Sequence, residues 1–366
     1  MANFKICNVS IRGITACVPN TIEENINLDV FKEGEAARVI SQTGIERKHK
    51  VRGYGITASD MCAEAFMTLI EGLGWEKESI DLIGFVTLTP DYLEPPTACV
   101  LHGRLGLASK CMTLDFNQGC PGWVNGLASL SSLLSSGCIK RAVLMNGDTA
   151  TLMRSPNDKE SMPLFGDAGV ATALEYNPNA TPMVFNFGSR GVDFKAIFRH
   201  SGGFRHPITE DSLKFKKIEE HIERRDIDAV MDGMGVFSFG ISIAPKSVRE
   251  LCETFDIPLE EIDYFVMHQA NKYLNEKIRK KLGIPPEKTP YSLKDYGNTS
   301  GASIPVTMVS QCNTELSSGK HKILACAFGV GLAWGSVYFT TEDIFCPEII
   351  MYDPEKKAYE QPAKIQ

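Results

Sequence analysis

The sequence is poor in the features that mark nucleic-acid-binding and membrane proteins. Its formal net charge is −7 over 366 residues, whereas broad binding to nucleic acid needs Lys and Arg concentrated on one face. The uncharged, mostly apolar run at residues 323–339 has the length of a short membrane span, but three glycines divide it. The run therefore predicts two buried strands. We expect neither a nucleic acid nor a membrane as a partner.

The chain also lacks the cysteine spacing of a disulfide-rich or zinc-binding protein. None of its eleven cysteines forms a CxxC pair, and no signal peptide is recognisable. His200 and His206 flank a glycine-rich loop that has no Cys or carboxylate at ligand spacing. These absences predict a cytoplasmic protein with reduced cysteines and no bound metal.

What is present is the composition of an ordinary globular protein, 43% hydrophobic and 23% charged. The length suits about two domains or one duplicated unit. Two pairs of similar segments lie 182 residues apart, one pair at Asp81 and Asp263 and the other at Gly137 and Gly319. Because two distant matches at one offset are uncommon, the pattern favours an internal duplication over two merely similar α/β units.

The apolar segments of each half predict a layered α/β fold. Residues 142–145 and 323–327 are continuously apolar, which is typical of strands that are covered on both faces. We predict a first half at residues 1–178, a second half at residues 179–345 and a C-terminal tail at residues 346–366.

The same offset relates residues that are candidates for chemistry. It carries Cys120 onto Ala302 and His268 onto Val86, so the members of each pair would occupy matching strand ends or helix starts. We therefore expect the chemistry in a cleft that both halves share across a pseudo-symmetry axis.

Cys120 is the candidate nucleophile. Residues 111–116 predict a short strand, and a tight turn at Cys120 leads into a helix of about four turns. Pro121 suits the first helical position, where its missing N–H is no loss. A thiol at a helix N-terminus feels the positive end of the dipole, which predicts a lowered pKa and more reactive thiolate. This context favours a nucleophile over an inert buried cysteine.

Two further segments bring the chain close to a known family. His268 opens HQAN after a predicted strand, and Asn298 lies in GNTSGAS before another helix. Together with GC-x-G at Cys120, these segments resemble the three signatures of β-ketoacyl-acyl-carrier-protein synthase III. The resemblance covers nearly the whole chain, through SQTGIERKH, LFGDAGVATAL, GMGVFSF and FGVGLAWGSVYF in the expected order.

The resemblance implies a thiolase-like fold of two duplicated halves in α-β-α-β-α layers, usually as a homodimer. Cys120 would take an acyl group from acyl-CoA or an acyl carrier protein, with backbone N–H groups of Cys120, Gly335 and Ser336 holding the oxyanion. Malonyl-acyl-carrier protein would then lose carbon dioxide, and His268 and Asn298 would hold the enolate that attacks the acyl group. This chemistry gives 3-oxoacyl-acyl-carrier protein and needs no permanently bound cofactor.

Some positions depart from the family pattern. Arg38 and Gln42 stand where many members carry the Trp and Arg that sandwich the adenine of CoA, and Arg47 lies two residues after the TGI segment. We take these three as candidate contacts to CoA or pantetheine. Leu332 is assigned to the position of a Phe near the malonyl carboxylate, where an apolar wall disfavours the charged group and promotes decarboxylation.

The predicted helix after His268 is basic and is a candidate docking surface for the acidic carrier protein. The alternative is an ordinary solvated helix face. The candidate docking residues are Lys272, Lys277, Arg279, Lys280 and Lys281.

Two other functions stay open at this point. An acyltransferase on the same scaffold would pass the acyl group from Cys120 to an alcohol, amine or sugar without using a malonyl group. A non-catalytic partner subunit would shape the tunnel of an active relative, although it would not need an intact Cys, His and Asn set.

Overall fold

The computed structural model describes residues 1–53, 55–353 and 355. Its strands are β1 Ala2–Ile6, β2 Val9–Pro19, β3 Ile22–Glu24, β4 Arg47–His49, β5 Leu82–Val86, β6 Met112–Phe116, β7 Arg141–Asp148, β8 Ala168–Tyr176, β9 Met183–Ser189, β10 Ile197–Arg199, β11 Lys216–Glu219, β12 Ile222–Arg224, β13 Ala229–Met231, β14 Tyr264–Met267, β15 Lys320–Gly329, β16 Ala333–Glu342 and β17 Ile350–Tyr352. Its α-helices are α1 Glu35–Thr43, α2 Ala58–Leu73, α3 Thr97–Leu105, α4 Gly122–Leu134, α5 Gly233–Thr254, α6 Lys272–Leu282, α7 Leu293–Tyr296 and α8 Ser303–Leu316. None of these helices is both long enough and apolar enough to cross a membrane.

Two large sheets share one topology. The first has the order β17-β2-β8-β7-β5-β6, and the second has the order β1-β9-β16-β15-β14. In the first sheet β5 is parallel to β7, and β8 is antiparallel to both β7 and β2. In the second sheet β14 is parallel to β15, and β16 is antiparallel to both β15 and β9. The four strands β2, β8, β7 and β5 therefore recur as β9, β16, β15 and β14, in the same order and directions.

Helices form three layers around these sheets. α4 and α8 lie between the sheets, because their apolar residues share one core with strands of both. α2 and α3 pack on the outer face of the first sheet, and α5 and α6 pack on the outer face of the second. The resulting order of layers is α-β-α-β-α, which confirms the predicted fold class.

Strand β7 illustrates why the central strands are continuously apolar. Ala142 and Leu144 point into the core between the sheets, while Val143 and Met145 point into the outer core. Because side chains alternate between faces and both faces are covered by helices, every position must be apolar.

Local boundaries agree with the predictions to within one or two residues. The uncharged run at residues 323–339 forms β15 and β16, so the prediction of two buried strands is confirmed. Strand β6 begins at Met112, and α4 begins at Gly122 with Pro121 as its N-cap residue. Shifts of this size are usual at element ends.

Each end of the chain adds a strand to the sheet of the opposite half. The division at residue 178 falls between β8 and β9 and stays a prediction. Strand β1 pairs with β9 in the second sheet, whereas β17 pairs with β2 in the first. Residues 350–352 of the predicted tail therefore extend the first sheet, and residues 356–366 lie outside the described residues.

Candidate active site

Three different junctions of the fold bring Cys120, His268 and Asn298 to one cavity. Cys120 lies in the turn between β6 and α4, His268 directly follows β14, and Asn298 lies in the turn between α7 and α8. All three line a single cavity of about 510 Å³. The structure thus brings together the Cys, His and Asn that the sequence motifs single out.

Glycines at this cavity allow the backbone to approach the thiol. Gly329 ends β15 with φ at +152°, and a Cβ there would lie 2.4 Å from Cys120 Sγ. A Cβ on Gly122 would lie 2.6 Å from Val86 at the end of β5. Both positions are too close for a side chain, so glycine is needed for Cys120 to sit between the two sheets.

The pKa of Cys120 differs from the prediction. Burial raises the pKa of the Cys120 thiol, while hydrogen bonds from the backbone N–H groups of Val330 and Cys120 and the charge of Arg154 act in the opposite direction. The predicted lowering by the helix dipole is therefore wrong, because loss of hydration around the thiolate outweighs the favourable groups.

His268 is held neutral and oriented by the second half. Only 2% of its surface is exposed, and burial lowers its pKa to about 4, against a hydrogen bond with the Ser300 backbone. Its Nδ1 lies 2.7 Å from the hydroxyl of Ser303 at the start of α8. Its ring meets Phe328 edge-on, with 6.1 Å between ring centroids.

Asn298 is fixed by its backbone and by its own side-chain oxygen. Its N–H donates to the Leu164 carbonyl at 2.8 Å, and its Oδ1 accepts the Ser300 N–H at 2.9 Å. Because the oxygen is used in this way, the amide Nδ2 is the group that remains for the cavity. Ser300 has φ at +54°, a left-handed conformation that is uncommon outside glycine and concentrates at functional sites.

Asp148, at the end of β7, is a buried residue near the site that the sequence did not single out. Its Oδ1 accepts hydrogen bonds from the Leu88 N–H at 2.7 Å and from the Thr87 hydroxyl at 3.1 Å. Burial raises its pKa, while the side chain of Ser300 and the backbone of Gly301 act against that rise. Asp148 therefore ties the loop after β5 to the end of β7. Its place in a Gly-Asp pair at a strand end was the available signal.

The predicted oxyanion donors in the Gly335-Ser336 pair are wrong. Both residues lie inside β16, opposite Ala327 and Cys326 of β15, and neither lines the cavity. The backbone N–H groups that point at the sulfur belong to Val330 and to Cys120 itself. Val330 directly follows β15 and lines the cavity.

The structure also contradicts the prediction that Leu332 forms the apolar wall near the malonyl carboxylate. It is 2% exposed, belongs to the core beneath α5 and α6, and is absent from the cavity lining. Phe328, four residues earlier, lines the cavity beside His268. The sequence does not show that β15 ends at Gly329, and this end decides which residue of the segment faces the cavity.

The mouth of the cavity carries one of the three predicted CoA contacts. Arg38 lines the cavity, whereas Gln42 and Arg47 do not. Arg47 instead pairs with Glu24 at 3.3 Å and lies 3.7 Å from Asp295. The other basic side chains at the mouth are neutralised locally, since Lys159 pairs with Glu35, and Arg224 with Asp158 and Glu160.

Helix α6 has a narrower basic surface than its sequence predicts. Arg279 is only 9% exposed, donates to the Ile284 carbonyl at 2.7 Å and pairs with Glu276 at 2.7 Å. Arg279 therefore forms a structural ion pair and is not a docking residue. Four lysines of the predicted surface are exposed, namely Lys272, Lys277, Lys280 and Lys281.

Among the described residues, no group of three or more His, Cys, Asp or Glu side chains is placed to hold a metal ion. The rings of His200 and His206 stack with 4.3 Å between centroids. All eleven cysteines lie within the described residues and none is disulfide-bonded.

The duplicated sheets, with a cysteine on one half facing a histidine and an asparagine on the other, define a condensing enzyme of the thiolase superfamily. Comparison with known proteins narrows this class. Residues 114–191 match the family model described as 3-oxoacyl-[acyl-carrier-protein] synthase III, and residues 252–341 match the model of its C-terminal part.

Individual relatives agree over their full length. The chain is 31% identical to a β-ketoacyl-[acyl-carrier-protein] synthase III of Rhodopirellula baltica, over 93% of this chain and 99% of the relative. It is 32% identical to the enzyme of that name in Clostridium perfringens, over 90% of this chain and 98% of the relative. The crystal structure of a 3-oxoacyl-(acyl-carrier protein) synthase from Burkholderia xenovorans superposes with a TM-score of 0.90 at 31% identity, covering 96% and 99% of the two chains.

The chain belongs to the β-ketoacyl-acyl-carrier-protein synthase III family, and it is an acyltransferase of the condensing type.

Proposed function

We propose that the chain loads an acyl group onto Cys120 and condenses it with malonyl-acyl-carrier protein, which gives 3-oxoacyl-acyl-carrier protein and begins fatty-acid synthesis. The observation that carries this proposal is the meeting of Cys120, His268 and Asn298 in one cavity. The names of the full-length relatives support the same reaction.

Loading is a thioester exchange. The sulfur of Cys120 attacks the carbonyl carbon of the acyl donor, the bond from that carbon to the donor sulfur breaks, and the donor leaves as a thiol with the proton from Cys120. The developing oxyanion would accept hydrogen bonds from the N–H groups of Cys120 and Val330, which already face the sulfur. Preformed backbone donors of this kind are a large source of catalysis in acyl transfer.

Condensation follows at the other side of the cavity. A malonyl thioester loses carbon dioxide and leaves an enolate, whose oxygen would accept hydrogen bonds from His268 and from Nδ2 of Asn298. The enolate carbon then attacks the acyl carbonyl, and Cys120 leaves as the thiolate. Phe328 lies against His268 and gives the carboxylate an apolar wall, which disfavours its charge and promotes its loss.

The position of the His268 proton fits this role. The Ser303 hydroxyl already accepts the Gln269 N–H at 3.3 Å and lies 2.7 Å from His268 Nδ1. If Ser303 donates to Nδ1, the neutral ring carries its proton on Nε2, as a hydrogen-bond donor to the enolate requires.

Three further assignments belong to this proposal. The exposed lysines of α6 would receive the acidic carrier protein, and Arg38 at the cavity mouth would contact a phosphate of pantetheine or CoA. A homodimer is supported by strand β6, an edge strand of the first sheet with the exposed apolar side chain of Met112. The reduced cysteines favour the cytoplasm.

The test is to incubate the protein with acetyl-CoA, or acetyl-acyl-carrier protein, and to measure the mass of the Cys120 peptide. Labelled malonyl-acyl-carrier protein is then added, and released carbon dioxide and 3-oxoacyl product are counted. An adduct on Cys120 followed by carbon dioxide release supports the proposal. An adduct without carbon dioxide release would indicate an acyltransferase that uses another acceptor, and the absence of any adduct would indicate a non-catalytic subunit.

A further inference from the structure

Arg154 is a buried cation beside the nucleophile that no sequence motif singled out. It follows Met153 after β7, is 7% exposed, and lines the same cavity as Cys120. Its guanidinium lies 4.0 Å from the centroid of the Phe165 ring, and its Nη1 donates to the Ala229 carbonyl at 3.0 Å.

On the side of the active-site cavity, apolar residues surround Arg154. Ala150, Met153, Phe165 and Ala229 form a small hydrophobic cluster, against which Leu88 and Leu164 pack. A cavity wall of this kind would ordinarily receive a hydrocarbon chain. A charged guanidinium in such an apolar wall is therefore unexpected unless it has a binding partner.

Within the described part of the chain, Arg154 has no carboxylate partner at ion-pair distance, and its Nε has no hydrogen-bond partner. Asp158 is engaged instead by Arg224 at 2.7 Å and by the Ser161 hydroxyl at 2.8 Å. Burial lowers the pKa of Arg154 to about 10, so the group stays charged at neutral pH. A buried charge with an unmet donor is costly unless an anion completes it.

A second cavity points to the same kind of ligand. It has a volume of about 340 Å³ and shares Arg154 with the active-site cavity. Its charged lining residues are predominantly basic, namely Lys48, Lys50, Arg52, Arg154 and Arg225, with Glu23 as the acid. The bases outnumber the acid in this lining, even though Lys48 and Lys50 pair with Glu23, so the second cavity favours negative charge on one side of the guanidinium.

We infer that Arg154 binds a carboxylate at the far end of the acyl group on Cys120, so that the enzyme is primed by an ω-carboxyacyl thioester. This inference rests on the proposed loading of Cys120. The guanidinium presents several N–H donors in a plane and matches a carboxylate well. The loading step is unchanged: Cys120 gains the acyl carbon, the donor leaves as a thiol, and the distal carboxylate keeps its charge.

The experiment compares two acyl groups of equal carbon number, glutaryl and pentanoyl, each supplied as its CoA and its acyl-carrier-protein thioester. The rate of adduct formation on Cys120 is measured by intact-protein mass without any malonyl donor. The variants are Arg154→Met, Arg154→Lys and the control Arg205→Met, which replaces an exposed arginine outside the cavity. Thermal unfolding of each variant checks that it is folded.

We expect the wild-type protein and Arg205→Met to load glutaryl faster than pentanoyl. Because a hydrogen bond to a charged group contributes about 1.5 to 3 kcal/mol, Arg154→Met should lower the ratio of glutaryl to pentanoyl loading by roughly 10- to 100-fold. Arg154→Lys should restore part of the ratio, since it returns the charge without the planar donor set.

Other outcomes overturn the inference. Equal or faster pentanoyl loading by the wild-type protein would do so, as would equal loss of both rates in Arg154→Met, which would indicate a general effect on the thiol. An unchanged loading ratio with a raised KM for malonyl-acyl-carrier protein would assign Arg154 to the malonyl carboxylate instead. Failure to load either acyl group, together with failure to load acetyl, would overturn the proposed function itself.

Discussion

The turns that precede α4 and α8 both begin a helix at the cavity, but they differ in their chemistry. In the first half, the turn before α4 presents Cys120, with Gly122 packed against Val86. In the second half, the turn before α8 presents Asn298, and Ser303 at the helix start supports His268. The difference indicates how a duplicated fold can divide one reaction, with the electrophile carried on one half and the carbanion stabilised by the other.

The largest effect on activity is expected when the nucleophile of the first half is removed. Cys120→Ala should lose the acyl adduct and lower condensation by roughly 1,000-fold or more, because no other group can form the thioester. Adduct mass and product formation measure the two losses. Cys99→Ala, which changes an exposed cysteine, is the matched control and should behave as the wild-type protein. A persistent adduct in Cys120→Ala would place the nucleophile elsewhere.

The second test removes the donors of the second half. His268→Ala and Asn298→Ala should each slow condensation by about 100-fold, since one preformed donor is worth about 3 kcal/mol. Loading of Cys120 should be affected much less, because its proposed donors are backbone N–H groups. Single-turnover loading and steady-state condensation on the same variant separate the steps. Equal loss of both steps would show that the halves do not divide the reaction.

The pH dependence should separate the two junctions without mutation. Burial raises the Cys120 pKa above its ordinary value of 9.0. The rate of Cys120 alkylation by iodoacetamide should therefore increase about tenfold per pH unit up to pH 9, and should still increase above pH 9. His268, with a pKa of about 4, stays neutral between pH 5 and pH 7. Condensation by preloaded enzyme should therefore show no step near pH 6.5, and such a step would contradict the buried neutral imidazole.

The smallest expected effect concerns docking on the second half. Lys277→Glu with Lys280→Glu should raise the KM for malonyl-acyl-carrier protein several-fold, because like charges would then face an acidic partner. Reaction with malonyl-CoA should change little. Lys5→Glu with Lys320→Glu, which replaces two exposed lysines on β1 and at the start of β15, is the control with the same change in net charge. A KM that rises equally in the control, or in neither protein, would remove α6 as the docking surface.

The layered α/β fold and Cys120 could be predicted from the sequence for a physical reason, whereas His268 and Asn298 were identified through the resemblance to a known family. Strands covered on both faces are continuously apolar, so segments such as residues 142–145 are visible without a structure. Repetition at one offset then related Cys120 to the start of α8. Glycine and proline marked the turns because they fit only certain backbone conformations.

The remainder of the site depends on register and packing, which local patterns do not contain. Phe328 rather than Leu332 faces His268, because the cavity begins where β15 ends. Arg279 turns inward to Glu276 on a helix whose other basic residues point outward. The pKa of Cys120 likewise depends on burial by distant segments. No sequence pattern singles out Arg154, because its proposed role follows from the absence of an ion-pair partner among the described residues, which only a structure can show.

Strand β1 has a consequence for how the protein can be handled. Ala2–Ile6 pairs antiparallel with β9, and Phe4 stacks on Phe185 with 5.5 Å between centroids. Without these residues, the apolar strand β9 would become a bare sheet edge, open to pairing with other chains. A shortened N-terminus would thus make the enzyme prone to aggregation while leaving every residue of the cavity in place.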